Sequence, residues 1–345
     1  MEKKKQVLKV IFYNFFILLV IIIFFEIFFG YWFKDENFGI YIRDQRNVER
    51  KFDINHYGQN YRYTFKRNSL GFIGDEIDPK KIRIVFEGGS TGEQQFTPPE
   101  FRIVDQLNLF LKKDKINLKI VNASKGGKTT RGYYNDFTSW FPKIKNFKPE
   151  IFIFYTGHND ASLKLPKHFD NVKRSNYFDQ LEDYIKNNSI IYEIKLKIQN
   201  KYFGKIRTNY GLYEKDLYDN YEYIDYLKAK MKFNLNELNN EELNLLDNFK
   251  KNLNNLNKEI SKMNIVPVFI TQVRFDGIST KTLFIINETL KEFCNSNNFH
   301  IIKLDEMIKT FEKDDFYDKI HTGINGSKKI SEVLYPELKE ILINY

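Results

Sequence analysis

A chain of 345 residues, 42% hydrophobic and 17% aromatic, has enough apolar mass for a packed core, which excludes disorder as its general state. Its single cysteine, Cys294, excludes an intrachain disulfide framework and a thiolate zinc cluster, and no H-E-x-x-H pattern is present. The formal charge of +9 does not point to nucleic acid, because the lysines are spread through an Asn- and Ile-rich chain and form no basic stripe interleaved with exposed aromatics.

From Val10 to Phe33 nearly every residue is apolar, a run longer than the roughly 20 residues a helix needs to cross a ~30 Å hydrocarbon core. This predicts a membrane span. No alanine precedes Ala123, so the small-residue exit of a cleaved signal peptide is missing and residues 1–34 read as a cytoplasmic tip plus an uncleaved anchor. Lys3, Lys4, Lys5 and Lys9 precede the run and Lys34-Asp35-Glu36 follow it. By the positive-inside rule the N-terminus stays cytoplasmic and everything after Phe33 lies outside. Tyr31 and Trp32 fit an interfacial aromatic belt. Glu26 is the odd member, since an ionised carboxylate within a span is costly; under two turns from the exit, it either snorkels to the interface or meets a partner helix.

Residues 35–80 form a juxtamembrane segment with turn signals at HYGQN and NSLGFIGDE and no sustained helical period, which predicts short strands or loops. After Lys81 apolar runs of strand length appear at 82–87, 118–123, 151–156, 265–272 and 300–304. Helix-period stretches lie around 100–113, 130–145, 280–295 and 325–342. This alternation predicts an α/β domain over 81–345, with a mostly parallel sheet covered by helices on both faces. The long interval after the third strand breaks the rhythm. Its later part places Leu246, Phe249, Leu253, Leu256, Ile260 and Met263 on one helix face; the rest, rich in Tyr, Lys and Asn, predicts a mainly helical insertion at about 162–245.

Ligands of an open parallel sheet bind beyond the carboxyl ends of its strands, so the residues following each strand carry the functional reading. After the first strand, EGGST places Ser90 on a glycine-permitted turn into a helix, as a candidate nucleophile or as a plain helix cap. The phosphate-loop pattern G-x-x-x-x-G-K-[ST] is absent. After the second strand, NASKGGKTT offers the pair Gly126 and Gly127, whose backbone N–H groups can face an anion. After the third, GHND offers the Asn159 amide as a further donor, or an ordinary turn residue. Near the C-terminus, Asp318 precedes His321 by three residues, a spacing that lets the carboxylate orient the imidazole while its other nitrogen takes a proton from Ser90. His56 and His168 fall in surface segments, His158 in the third-strand loop and His300 at a strand start.

Together and in order, these four blocks resemble the SGNH hydrolases, the GDSL-type esterase superfamily. The resemblance implies a flavodoxin-like three-layer α/β/α sandwich with a five-stranded parallel sheet and no metal or organic cofactor. It implies Ser90, His321 and Asp318 as catalytic residues, and Ser90 N–H, Gly127 N–H and Asn159 as the oxyanion hole, with Gly126 as the other glycine. NSLGFIGDE is similar to a segment preceding the domain in membrane-anchored members. Members of that layout imply a serine esterase or O-acyltransferase acting on acyl, chiefly acetyl, esters of cell-envelope glycans. They also imply a site on the periplasmic side of a bacterial inner membrane, among envelope-biosynthesis partners. The chain departs from the pattern at Gly89, where many members have Asp, and at STGEQQF. A non-catalytic membrane-anchored glycan-binding or assembly module with the same fold is the alternative. A Rossmann-type nucleotide binder would need G-x-G-x-x-G after the first strand, which is absent.

Overall fold

The computed structural model describes all residues except 1, 35–37, 39–41, 43–44, 163–169, 171–175, 203–204, 209–220 and 313; His168 and part of the expected insertion lie outside the described residues. The chain opens with α1 (Glu2–Phe29), then the strands β1 (Val48–His56) and β2 (Gln59–Arg67). The first half of the main domain follows as β3 (Ile84–Gly88), α2 (Ser90–Glu93), α3 (Ile103–Lys113), β4 (Ile120–Asn122), α4 (Thr130–Ser139) and β5 (Ile151–Tyr155). Next come α5 (Tyr177–Asn188), α6 (Ile190–Tyr202), β6 (Arg207–Thr208) and α7 (Tyr226–Lys232). The second half is α8 (Asn240–Met263), β7 (Val266–Ile270), α9 (Lys281–Asn297), β8 (His300–Ile302), α10 (Leu304–Met307) and α11 (Ile324–Ile343).

β3, β4 and β5 are buried at every residue, as strands covered on both faces must be. They join β7 and β8 in one parallel sheet ordered β4-β3-β5-β7-β8, the flavodoxin-like order in which the first strand of the sheet lies inside the second. Alternate side chains split between two cores. Val85, Phe152, Phe154 and Phe269 pack with Phe137, Phe249, Leu253 and Leu290 of α4, α8 and α9. Ile84, Phe86, Ile153 and Tyr155 pack with Leu107 of α3 and Leu334 and Leu338 of α11. Three layers result.

Several elements are shorter than the apolar runs suggest. β4 is an edge strand, and the Asn108 side chain takes both backbone groups of Ile120, accepting from its N–H at 2.8 Å and donating to its carbonyl at 2.9 Å. The helix expected over 130–145 stops at Ser139, ahead of Pro142, which has no N–H to continue the α-helical ladder, and Phe141–Lys143 form a separate 3-10 turn. α8 carries the expected stripe inward, and its start is fixed by a capping box between Asn239 and Glu242.

Residues 35–80 hold longer strands than expected. β1 and β2 pair antiparallel from Val48↔Arg67 to His56↔Gln59, and β6 adds to β1 in parallel. The turn at Tyr57 and Gly58 has φ of 46° and 95°, the positive pair that a tight hairpin needs. Phe52, Ile54 and Phe65 form a small core against Phe96, beside the Ser90 turn. This docking corrects the expectation for His56: it is buried, with Nε2 3.0 Å from the Phe96 carbonyl, because its hairpin folds onto the domain.

In α1, residues Lys4–Phe29 are long and apolar enough to cross a membrane by length and composition, and none of that stretch is buried in the protein. Glu26 meets a partner helix. Its carboxylate accepts from Ser189 Oγ at 2.5 Å and from the N–H groups of Ile190 and Ile191 at 3.2 and 3.3 Å, capping the start of α6, where backbone donors are otherwise unsatisfied.

Candidate active site

Gly88 ends β3 beside Tyr155 of β5, so the following turn emerges at the carboxyl edge of the sheet. Gly89 takes the cap position of α2 and Ser90 is its first residue, so the Ser90 hydroxyl does not cap the helix and is turned to His321. His321 Nε2 lies 2.7 Å from Ser90 Oγ, and His321 Nδ1 lies 2.6 Å from Asp318 Oδ2. The other Asp318 oxygen accepts from the N–H groups of Ile320 and His321 at 2.8 and 2.7 Å. Burial pushes the Asp318 carboxyl up, but the hydrogen bond and charge of His321 and the two N–H donors outweigh it and hold the carboxyl below its usual range. An ionised Asp318 therefore accepts the Nδ1 proton, which leaves Nε2 to accept from the serine. The Tyr317 ring lies parallel to the imidazole, with centroids 5.6 Å apart.

The structure separates the two candidate glycines. Gly126 N–H already donates to Glu93 Oε2 at 2.8 Å, and Glu93 also accepts from Arg67 at 2.8 Å. Gly127 sits at φ 77°, a conformation that glycine adopts without penalty, and among the described residues its N–H meets no acceptor. Asn159 Nδ2 donates to the Lys128 carbonyl at 2.8 Å, which leaves its second amide hydrogen. The close approach of Asn159 depends on Gly89, where a Cβ would lie 2.5 Å from that nitrogen.

Three features of this site escape sequence reading. Gln94, in the divergent GEQQF stretch, donates to Thr322 Oγ1 at 2.9 Å and Ser327 Oγ at 2.6 Å, and accepts from Ile103 N–H at 2.7 Å. It thereby ties the Ser90 turn to the residue after His321; the departure from the family pattern was its only signal. Lys128 is buried between Glu87, at 2.8 Å, and Asp136. Burial pushes Glu87 well above the usual carboxyl range despite Lys128, while the two carboxylates outweigh burial and raise Lys128. His158 is part-buried, its Nε2 2.9 Å from the Val273 carbonyl, and loss of solvent around the ring pushes it down to about 3. Among the described residues, no group of three or more His, Cys, Asp or Glu is arranged to hold a metal ion.

The family model of GDSL-like lipases and acylhydrolases matches residues 84–334. The chain belongs to that family. No curated protein matches its sequence. Solved structures similar to this GDSL-family chain include a psychrotrophic esterase, EstA, from Pseudoalteromonas sp., with 10% identity, TM-score 0.43, and coverage of 75% of this chain and 98% of that one. A catalytic mutant of Axe2, an acetylxylan esterase from Geobacillus stearothermophilus, is similar at 12% identity and TM-score 0.43, covering 74% and 93%. Family membership places the protein among the ester hydrolases.

Proposed function

We propose that this GDSL-family protein is a membrane-tethered serine esterase or O-acyltransferase that acts on acyl esters, acetyl foremost, of cell-envelope glycans on the outer side of the bacterial inner membrane. The observation that carries the reading is the continuous Ser90–His321–Asp318 relay, at 2.7 and 2.6 Å. Ser90 Oγ attacks the ester carbonyl while His321 Nε2 takes its proton, and Asp318 stabilises the imidazolium. Ser90 N–H, Gly127 N–H and the spare Asn159 amide hydrogen hold the tetrahedral oxyanion. The intermediate collapses as His321 returns the proton to the departing alcohol, leaving the acyl group on Ser90. Water as second acceptor gives hydrolysis; a sugar hydroxyl gives transfer. The outward orientation rests on the lysines that precede α1, and the glycan reading on the similarity of the layout to envelope-modifying members.

The test is release of p-nitrophenol from its acetate ester by the detergent-solubilised full chain, with a fluorophosphonate probe alongside. Ser90→Ala is expected to lower turnover on the order of 10³-fold or more and to abolish labelling. Parent protein that neither turns over nor labels would leave a glycan-binding module of the same fold.

A further inference from the structure

We infer that the α5–α6 hairpin rests on the outer surface of the lipid bilayer, with its exposed apolar side chains set among headgroups and upper acyl chains. The inference rests on reading α1 as the membrane span.

The polarity of α5 is inverted for a helix in water. Its buried residues are Asp183 and Asn188, whereas Tyr177 and Phe178 are 72% and 75% exposed and Leu181, Tyr184 and Ile185 are also exposed. Their spacing of one, four, seven and eight residues puts all five on one face. Ile191, Ile194, Ile198 and Tyr202 give α6 a similar exposed row. An apolar surface of this extent marks an interaction site.

The hairpin's position identifies what covers it. Its turn is fastened to the outer end of α1: Glu26 accepts from Ser189 Oγ and caps α6, and Tyr31 N–H donates to the Asn188 carbonyl at 2.8 Å. Glu26 lies three residues before the end of α1 at Phe29, about 4.5 Å along the axis. The Ser189 turn is therefore held at the level where hydrocarbon gives way to headgroups. Trp32 donates to Glu26 at 2.9 Å and meets Tyr184 edge to face at 5.9 Å, the aromatic pairing that favours this zone. An apolar groove lined by Ile22, Ile23 and Ile27 of α1 runs on to Tyr184, so the lipid-facing surface of the span continues onto α5. Exposed Lys195 accompanies the α6 row, which suits anionic headgroups. The arrangement is that of an interfacial amphipathic hairpin, with polar residues turned to the protein and apolar ones to lipid.

The test places an environment-sensitive fluorophore on the full chain in phosphatidylethanolamine–phosphatidylglycerol vesicles, through Phe178→Cys or Ile194→Cys; the native Cys294 is buried. Ile17→Cys reports the span and Met231→Cys, 82% exposed on α7, reports water. The probes at 178 and 194 are expected to emit to the blue of the one at 231 and to lose intensity with lipids spin-labelled near the headgroup. If the probe at 17 is quenched while those at 178 and 194 behave like 231, the inference is overturned and the anchor stands. If 178 and 194 are shielded from aqueous iodide but not reached by lipid quencher, a protein or second copy covers the face and the inference is again wrong. A probe at 17 that no lipid reaches removes the anchor itself.

Discussion

Gln94 Nε2 donates to Thr322 Oγ1 at 2.9 Å, a buried bond between the turn that bears Ser90 and the residue next to His321. The relay needs two loops from opposite ends of the chain to hold a hydroxyl and an imidazole at hydrogen-bond distance, and this amide is a direct tie between them. Gln94 adopts φ 48°, so its placement carries some backbone cost, which is offset by three hydrogen bonds. Gln94→Ala is expected to lower kcat roughly 10- to 100-fold with KM little changed, since a small misplacement of reacting groups is enough for that loss. It is also expected to cost about 1–3 kcal/mol of stability through unpaired buried groups. Steady-state kinetics beside urea unfolding separates the two effects; unchanged kcat would remove Gln94 from the positioning role.

Much of this arrangement was legible in the residues. The parallel sheet was readable because apolar runs of strand length recur between helix-period stretches, and the loop residues Ser90, Gly127, Asn159, Asp318 and His321 stand where strands or the last helix begin or end. What was hidden depends on partners far apart in sequence. Nothing in VFEGGS reveals that Glu87 is buried against Lys128, 41 residues on. His56 reads as a surface residue until its hairpin is seen packed against Phe96. Local pattern gives an element's type; it does not give the face that another element will cover.

The pairing of Gly89 with Asn159 predicts that two different substitutions act on one step. Asn159→Ala removes the proposed oxyanion donor and is expected to lower kcat about 10²- to 10³-fold. Gly89→Ala places a methyl 2.5 Å from the position of Asn159 Nδ2 and is expected to lower kcat in the same direction by displacing that amide. Because both act through the same hydrogen bond, the double variant should be close to the worse single variant rather than the product of the two. Multiplicative losses in a double-mutant cycle would sink this account.

Lys128 is the only cation bonded to Glu87 and Asp136 among the described residues. Lys128→Met is expected to cost about 3–5 kcal/mol, because removing one partner leaves buried carboxyl charge uncompensated. Glu87 behaves differently. Burial pushes its carboxyl well above the usual range, and Lys128 keeps Asp136 when Glu87 is replaced, so Glu87→Gln, which keeps the shape and an acceptor, is expected to cost less than Lys128→Met. Denaturant midpoints of the two variants decide it; equal losses would refute this ordering.

His158 and Asp160 tilt stability with pH in opposite directions. Burial raises Asp160 from 3.8 to about 7, against the hydrogen bonds it accepts from Thr130. Between those values the folded chain holds a proton that the unfolded chain has lost, so this group makes stability fall as pH rises, by up to about 1.4 kcal/mol per unit. Burial lowers His158 from 6.5 to about 3. There the unfolded chain holds the extra proton, so stability rises with pH through that window and is lost on acidification. From about pH 4 to 6.5 the two slopes nearly cancel in the parent, and single variants should unmask them. The stability of Asp160→Asn relative to the parent should increase from pH 4 to 7, whereas that of His158→Gln should decrease from pH 3 to 6.5. Urea unfolding of the full chain in detergent across that range checks both signs, and a common sign for the two variants would refute the assignment.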